Sequence, residues 1–323
     1  MGLGNGARPA FITAAAVGAA AGAAAGAAAG AAACAWARRR DAHLVRTAAG
    51  FAAVYTAEEN VRVLRAGGVF QSATYLDERR FEPVFEYYRG FDAMFESETP
   101  LASTFGHGVT EVLMLGGGGF AYPKHLLSSR SGISLDVVEI DPAVVDAARR
   151  WFFLDELEER LASSSECTRN RLRVFIADAR SFIEGADDDF EVSLPEVRDA
   201  AAPLACSRGF ERYDAIVNDC FHGSVPVRAL ATYEAMAAVR RRLVPGGLYL
   251  ANVVSRDGGS DLSFLRDVAA TLSLVFRRVH ILPCADEEFG GEDNYLVIAT
   301  DADVEFADAI PFDADFLGSP MRD

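Results

Sequence analysis

The chain has 323 residues, 50% hydrophobic and 24% charged, which excludes a mostly disordered chain and fits one large α/β domain with an appendage, or two domains. Its 31 basic side chains stand against 47 acidic ones, for a formal net charge of −16. That balance excludes sequence-independent nucleic-acid binding, which needs Lys and Arg to neutralise phosphates, and it suits a cationic substrate.

Residues Ala10 to Ala37 carry no charge, and Arg38-Arg39-Arg40 follow at once. As a helix the stretch would be roughly 42 Å long at about 1.5 Å per residue, enough to cross a bilayer core of about 30 Å. Gly18, Gly22, Gly26 and Gly30 recur every fourth residue, a small-residue stripe of the kind that lets membrane helices approach closely. A single membrane anchor over 10–37 is the first reading, with the arginines and the rest of the chain on the cytoplasmic side. A low-complexity Ala/Gly tail and a cleaved signal peptide are the alternatives, and the basic cluster lies on the wrong side of the apolar run for the latter.

Val61–Leu64, then Ala66-Gly67-Gly68, then Val69–Tyr75 predict a hairpin, and the pattern from Phe81 to Phe95 predicts a helix. Short aliphatic runs follow at Glu111–Leu115, Leu135–Ile140, Leu172–Ala177, Tyr213–Asn218 and Leu248–Val254. Helical patterns separate them at Tyr122–Ser129, Pro142–Leu154, Ala229–Leu243 and Asp261–Phe276. This alternation predicts an α/β fold: a Rossmann-like, doubly wound, mostly parallel sheet with helices on both faces. Strands near Val279–Leu282 and Tyr295–Thr300 would complete it, and the polar, Asp-rich piece Glu184–Glu211 reads as a surface insertion. The expected organisation is an Ala/Gly-rich anchor over 1–40, a β-hairpin and helical region over 41–100, a Rossmann-like nucleoside-binding domain over 101–305 and a tail over 306–323. Cys34, Cys167, Cys206, Cys220 and Cys284 are scattered, odd in number and without a CxxC pair, so they read as reduced thiols, not as disulfides or metal ligands.

Gly116, Gly117, Gly118 and Gly119 fall where the first aliphatic run ends and a helix should begin. Without Cβ atoms the backbone can turn sharply there and approach a ligand, and a helix amino terminus offers unpaired N–H groups. Glu139 closes the next run, where an acid accepts from ribose hydroxyls in nucleotide-binding α/β folds. Gly116-x-Gly118-x-x-Ala121 also fits a dinucleotide fingerprint, so an NAD-linked oxidoreductase is a rival. Against it stand Asp178-Ala179 at the end of the third run, placed to receive an adenine amine, and Asn218-Asp219 at the end of the fourth. Strand carboxyl ends share one cleft in such sheets, so these positions should converge. Each of Asp141, Asp178 and Asp219 could instead cap a helix. The spacing favours capping for Asp141, beside Pro142, and ligand contact for Asp178 and Asp219.

These residues resemble the spermidine synthase family and its spermidine synthase-like relatives, within the class I S-adenosylmethionine-dependent methyltransferase superfamily. The matching stretches are Gly68–Gln71, Val112–Gly118, Val138–Pro142, Ala177-Asp178-Ala179, Tyr213–Asp219 and Leu243–Gly247, in family order. The resemblance implies an amino-terminal β-hairpin domain and aminopropyl transfer from decarboxylated S-adenosylmethionine to a polyamine amine. It implies that Glu139 holds the ribose, Asp178 the adenine, and that Asp219 orients and deprotonates the attacking amine. Gln71 would touch the polyamine, and Tyr87 and Tyr88 lie near the substrate-lining region. Family members are often homodimers. Two usually acidic positions differ here: Gly119 follows the three glycines, and His222 stands three residues after Asp219, where it could serve as a base. Other consequences of these losses are use of ordinary S-adenosylmethionine for methyl transfer, or nucleoside binding without turnover.

Overall fold

The computed structural model describes residues 29, 31–57, 60–163, 170–185, 191–193, 212–222, 225–254, 261–284 and 294–323. Residues 31–39 are helical and lead into four antiparallel strands: β1 (His43–Thr47), β2 (Gly50–Thr56), β3 (Val61–Ala66) and β4 (Val69–Tyr75). The hairpin predicted from Gly67-Gly68 is therefore the β3–β4 half of a four-stranded sheet, both glycines having positive φ at its turn. Most of Ala10–Ala37 lies outside the described residues, and among those described no helix is long and apolar enough to cross a membrane.

Between the two sheets the chain departs from the predicted helix over Phe81–Phe95. Only Tyr87–Gly90 is α-helical; Phe91–Ser97 continues as a 3₁₀ segment and Glu98–Phe105 as a second helix. Pro83 biases Glu82 away from the α region, and Gly90 weakens helix propagation, so a periodic apolar pattern is delivered by turns instead. The outcome is an aromatic layer in which Tyr87 and Tyr88 lie 4.2 Å apart, centroid to centroid, with Phe85 and Phe91 beside them.

The second sheet has eight strands: β5 (Glu111–Leu115), β6 (Ser134–Glu139), β7 (Arg171–Ile176), β8 (Glu191–Ser193), β9 (Tyr213–Asn218), β12 (Leu243–Val254), β13 (Arg278–Cys284) and β14 (Asn294–Thr300). The remaining two, β10 (Phe221–His222) and β11 (Val225–Pro226), form a small hairpin just beyond β9. The order β13-β14-β12-β9-β5-β6-β7-β8 is parallel from β12 to β7 and antiparallel at both margins. Chain order reverses between β5 and β9, the topological position at whose strand carboxyl ends open α/β sheets bind ligands. Val112 and Met114 of β5 enter one buried cluster, and Leu113 and Leu115 enter the other, so both faces of this sheet are covered. Ala52, Val54 and Leu64 of the small sheet belong to the first of these clusters, so the two sheets share a core. The predicted helix from Pro142 to Leu154 is cut at Trp151, because Phe153 adopts a left-handed φ of 61° before a second helix, Leu154–Ser163. The expected insertion over Glu184–Glu211 lies largely outside the described residues, apart from the β8 backbone paired to β7.

Candidate active site

The glycine turn is stitched to the neighbouring strands before any side chain is considered. Gly116 N donates to Val138 O at 2.9 Å, and Asp219 N donates to Leu115 O at 2.9 Å. Gly116 has φ 91°, and a Cβ there would stand 2.7 Å from the Asp219 carbonyl oxygen, so no other residue fits. The helix Ala121–Ser129 begins just after it.

Glu139, at the end of β6, is almost wholly buried. Its Oε2 accepts from Gly117 N and Gly118 N at 3.0 Å each, and its Oε1 accepts from Asp141 N at 3.1 Å. Burial pushes its pKa up, and these three backbone donors pull against that shift. A carboxylate has about four lone-pair sites, and backbone donors occupy three of them here. Asp141 is a helix cap, accepting from Ala143 N at 2.9 Å, as its place before Pro142 predicts.

Asp178 also caps a helix: its Oδ1 accepts from Ser181 N at 2.8 Å at the start of Ala179–Glu184, with Ala179 buried behind it. The residue is exposed at the end of β7, so the capping role that competes with ligand contact is realised here.

Asp219 follows β9 and is half-buried beneath the aromatic layer. Its Oδ1 accepts from Asn252 Nδ2 at 2.9 Å and its Oδ2 from the Tyr87 hydroxyl at 3.3 Å. Desolvation raises its pKa to about 6, against the opposing pull of Asn252, Tyr87 and Tyr88. The Tyr87 hydroxyl is pushed well above its ordinary value by burial and by the Asp219 charge. The Cys220 thiol is likewise raised by burial and then by Glu139, Asp219 and Asp178. The parallel register of β9, β5, β6 and β7 sets their carboxyl ends along one edge of the sheet.

β4 reaches the same place from the small sheet. A Cβ on Gly118 would lie 3.6 Å from Gln71 O, which puts Gln71 beside the glycine turn. At Gly119 a Cβ would meet Ser72 Oγ at 2.5 Å and Ser72 Cβ at 2.7 Å. Close packing between the sheets thus accounts for glycine where the resembled family carries an acid. His222 lies in β10, but its side chain is outside the described set. Asn252 and Ser72 went unnoticed in the sequence; a lone amide within the apolar run Leu248–Val254 was the available signal for Asn252. Among the described residues, no group of three or more His, Cys, Asp or Glu side chains is arranged to hold a metal ion.

No family model matches the chain. An N-terminal histidine N-methyltransferase of Emericella nidulans is 25% identical over 248 residues, 75% of this chain and 37% of that protein. An eEF1A lysine and N-terminal methyltransferase of Bos taurus is 25% identical over 188 residues, 56% of this chain and 21% of that protein. The chain thus spans well under half the length of these curated relatives. Among solved structures, a probable spermidine synthase from Corynebacterium glutamicum superposes with a TM-score of 0.55 at 20% identity, covering 82% of this chain and 81% of that one. The spermidine synthase of Thermotoga maritima gives 0.53 at 16% identity, covering 83% and 75%. The chain has the fold of the class I S-adenosylmethionine-dependent methyltransferase superfamily, in the arrangement that the spermidine synthases share.

Proposed function

We propose that the chain transfers an alkyl group from an S-adenosyl sulfonium donor to an amine, with Asp219 as the carboxylate that receives the amine. The observation that carries this reading is a half-buried carboxylate, held from two sides by Asn252 and Tyr87, beside a glycine turn closed by Glu139. A sulfonium donor supplies the alkyl carbon and departs as a neutral thioether, so the leaving group needs no acid.

The work of the protein is on the amine. An alkylamine has a pKa of about 10.4 and arrives protonated. An ionised Asp219 attracts that cation, and its second task is to take the proton so that the nitrogen lone pair can form the new C–N bond as the C–S bond breaks. Raising the acid from 3.8 to about 6 narrows the proton-transfer mismatch by about 3 kcal/mol. Glu139, with one lone-pair site to spare, supports a ribose contact, and Asp178 at the next strand end supports an adenine contact through the oxygen that does not cap its helix.

Two donors fit the fold. Methyl transfer from S-adenosylmethionine is favoured because Gly119, packed on Ser72, leaves no room for the acid that would grip the amine of an aminopropyl donor. The curated relatives, both methyltransferases by name, support the same choice. Aminopropyl transfer from decarboxylated S-adenosylmethionine to a polyamine amine is the second reading, supported by the matching motifs around Gln71 and Asp219. Mass spectrometry of reactions containing either donor with putrescine or with peptides bearing free α-amines and lysines tests both. A methylated amine is the expected product; an aminopropylated one would select the second reading, and no turnover with either donor would leave only a nucleoside-binding protein.

A further inference from the structure

The outer face of the small sheet carries a surface unrelated to the crevice. Register places Leu44 opposite Ala53, Ala53 opposite Arg65, and Arg65 opposite Phe70, a row that crosses all four strands. Arg46 lies opposite Phe51 in the adjoining row. Directly paired residues share a face, so these side chains stand together, while Ala52, Val54 and Leu64 point to the core. Leu44 is 69% exposed, Phe51 65% and Phe70 44%. Trp36, 51% exposed, packs on Tyr55 of the same sheet at 5.6 Å and extends the apolar area onto the helix 31–39.

The charge around this face is opposite to that of the whole chain. Arg46 and Arg65 flank the exposed rings, Arg65 lying 5.6 Å from the Phe70 centroid, and Arg38 and Arg39 are exposed beside Trp36. The one acid in residues 31–57 is Asp41, which is engaged by Arg62 at 2.6 Å. Large exposed apolar side chains ringed by arginines, on a chain of net charge −16, match a surface that is apolar below and anionic above.

We propose that this face docks on an anionic lipid bilayer, with Leu44, Phe51, Phe70 and Trp36 entering the headgroup boundary and the arginines meeting lipid phosphates. The full chain should co-sediment with phosphatidylcholine–phosphatidylglycerol vesicles at least tenfold better than with phosphatidylcholine alone. The triple variant Leu44→Ser, Phe51→Ser, Phe70→Ser should lose about tenfold or more of that binding. Reversing Arg46 and Arg65 to Glu should lose about fivefold or more for each charge removed, less at high salt. All five positions are exposed, so unchanged melting confirms that the variants fold. Equal binding to both vesicle types overturns the proposal, as does vesicle binding that both variants retain, which would lodge it elsewhere in the chain. A wild-type dimer that the triple variant converts to monomer, with vesicle binding unaltered, assigns the face to a second copy and equally overturns it. None of these outcomes bears on the transferase reading.

Discussion

The Asn252 amide donates to the Asp219 carboxylate at 2.9 Å, each residue standing one position past the last register pair of neighbouring parallel strands, Ala251 and Asn218. The amide holds one oxygen while Tyr87 holds the other, which fixes the plane of the carboxylate. Removing that donor should raise the Asp219 pKa further, because hydrogen bonding to the charged form is what opposes its desolvation. Asn252→Ala is expected to lower kcat/KM about tenfold at pH 7 and to shift the acidic limb upward. Part of the loss should be recovered at pH 9, a pattern that simple destabilisation does not produce.

Asp219 itself should impose an acidic limb near pH 6 on kcat/KM, activity falling as its carboxylate is protonated. Its folded pKa lies above the unfolded value, so its contribution to stability is complete below about pH 3.8 and is lost as pH rises through about 6. At pH 7 the half-buried charge therefore destabilises the fold by up to about 3 kcal/mol. Asp219→Asn should abolish turnover yet melt at a higher temperature at pH 7, with little difference at pH 4. Thermal melts at the two pH values measure this.

Gly119 and Ser72 should be energetically coupled. Gly119→Ala is expected to destabilise by about 2 kcal/mol, since the new methyl would meet the Ser72 Cβ as well as its hydroxyl. Ser72→Gly in the same chain should recover at least half of that loss. A double-mutant cycle by denaturant unfolding reads the coupling directly.

Lys124 is buried in the helix that follows the glycine turn, with Nζ donating to Thr74 Oγ1 at 2.8 Å and to Arg80 O at 2.9 Å. Burial lowers its pKa to about 7. Its folded pKa lies below the unfolded value, so the stability it contributes is complete above about pH 10.5 and is lost as pH falls to about 7. Relative to Lys124→Met, the wild type should gain up to about 1.4 kcal/mol for each pH unit between 7 and 10. Paired melts across that range test it.

The parts of the site written in local pattern were legible: Gly116–Gly118 after an aliphatic run, Glu139 closing the next, and Asp219 after YDAIVN. Glu111–Leu115 and Tyr213–Asn218 match their predicted bounds because fully buried parallel strands read as unbroken apolar runs. What was hidden depends on contacts between distant segments. The meeting of Gly119 with Ser72 joins β4 to a turn beyond β5, and no spacing rule encodes it. Asp178 reads as a ligand contact in the sequence and is a helix cap in the structure, because an acid before a helix has the same sequence signature in either role. The Phe81–Phe95 pattern misled because its apolar residues are buried by turns and a 3₁₀ segment, for which helical periodicity is not diagnostic.

Binding calorimetry of S-adenosylmethionine, its decarboxylated form and 5′-methylthioadenosine, on the wild type and on Glu139→Gln, most directly tests the adenosyl crevice at the ends of β5, β6, β7 and β9. All three nucleosides should bind the wild type, each at least tenfold more weakly after the substitution, with S-adenosylmethionine the tighter of the two sulfonium donors. Failure of every adenosyl compound to bind, or affinities untouched by the change at Glu139, would contradict it.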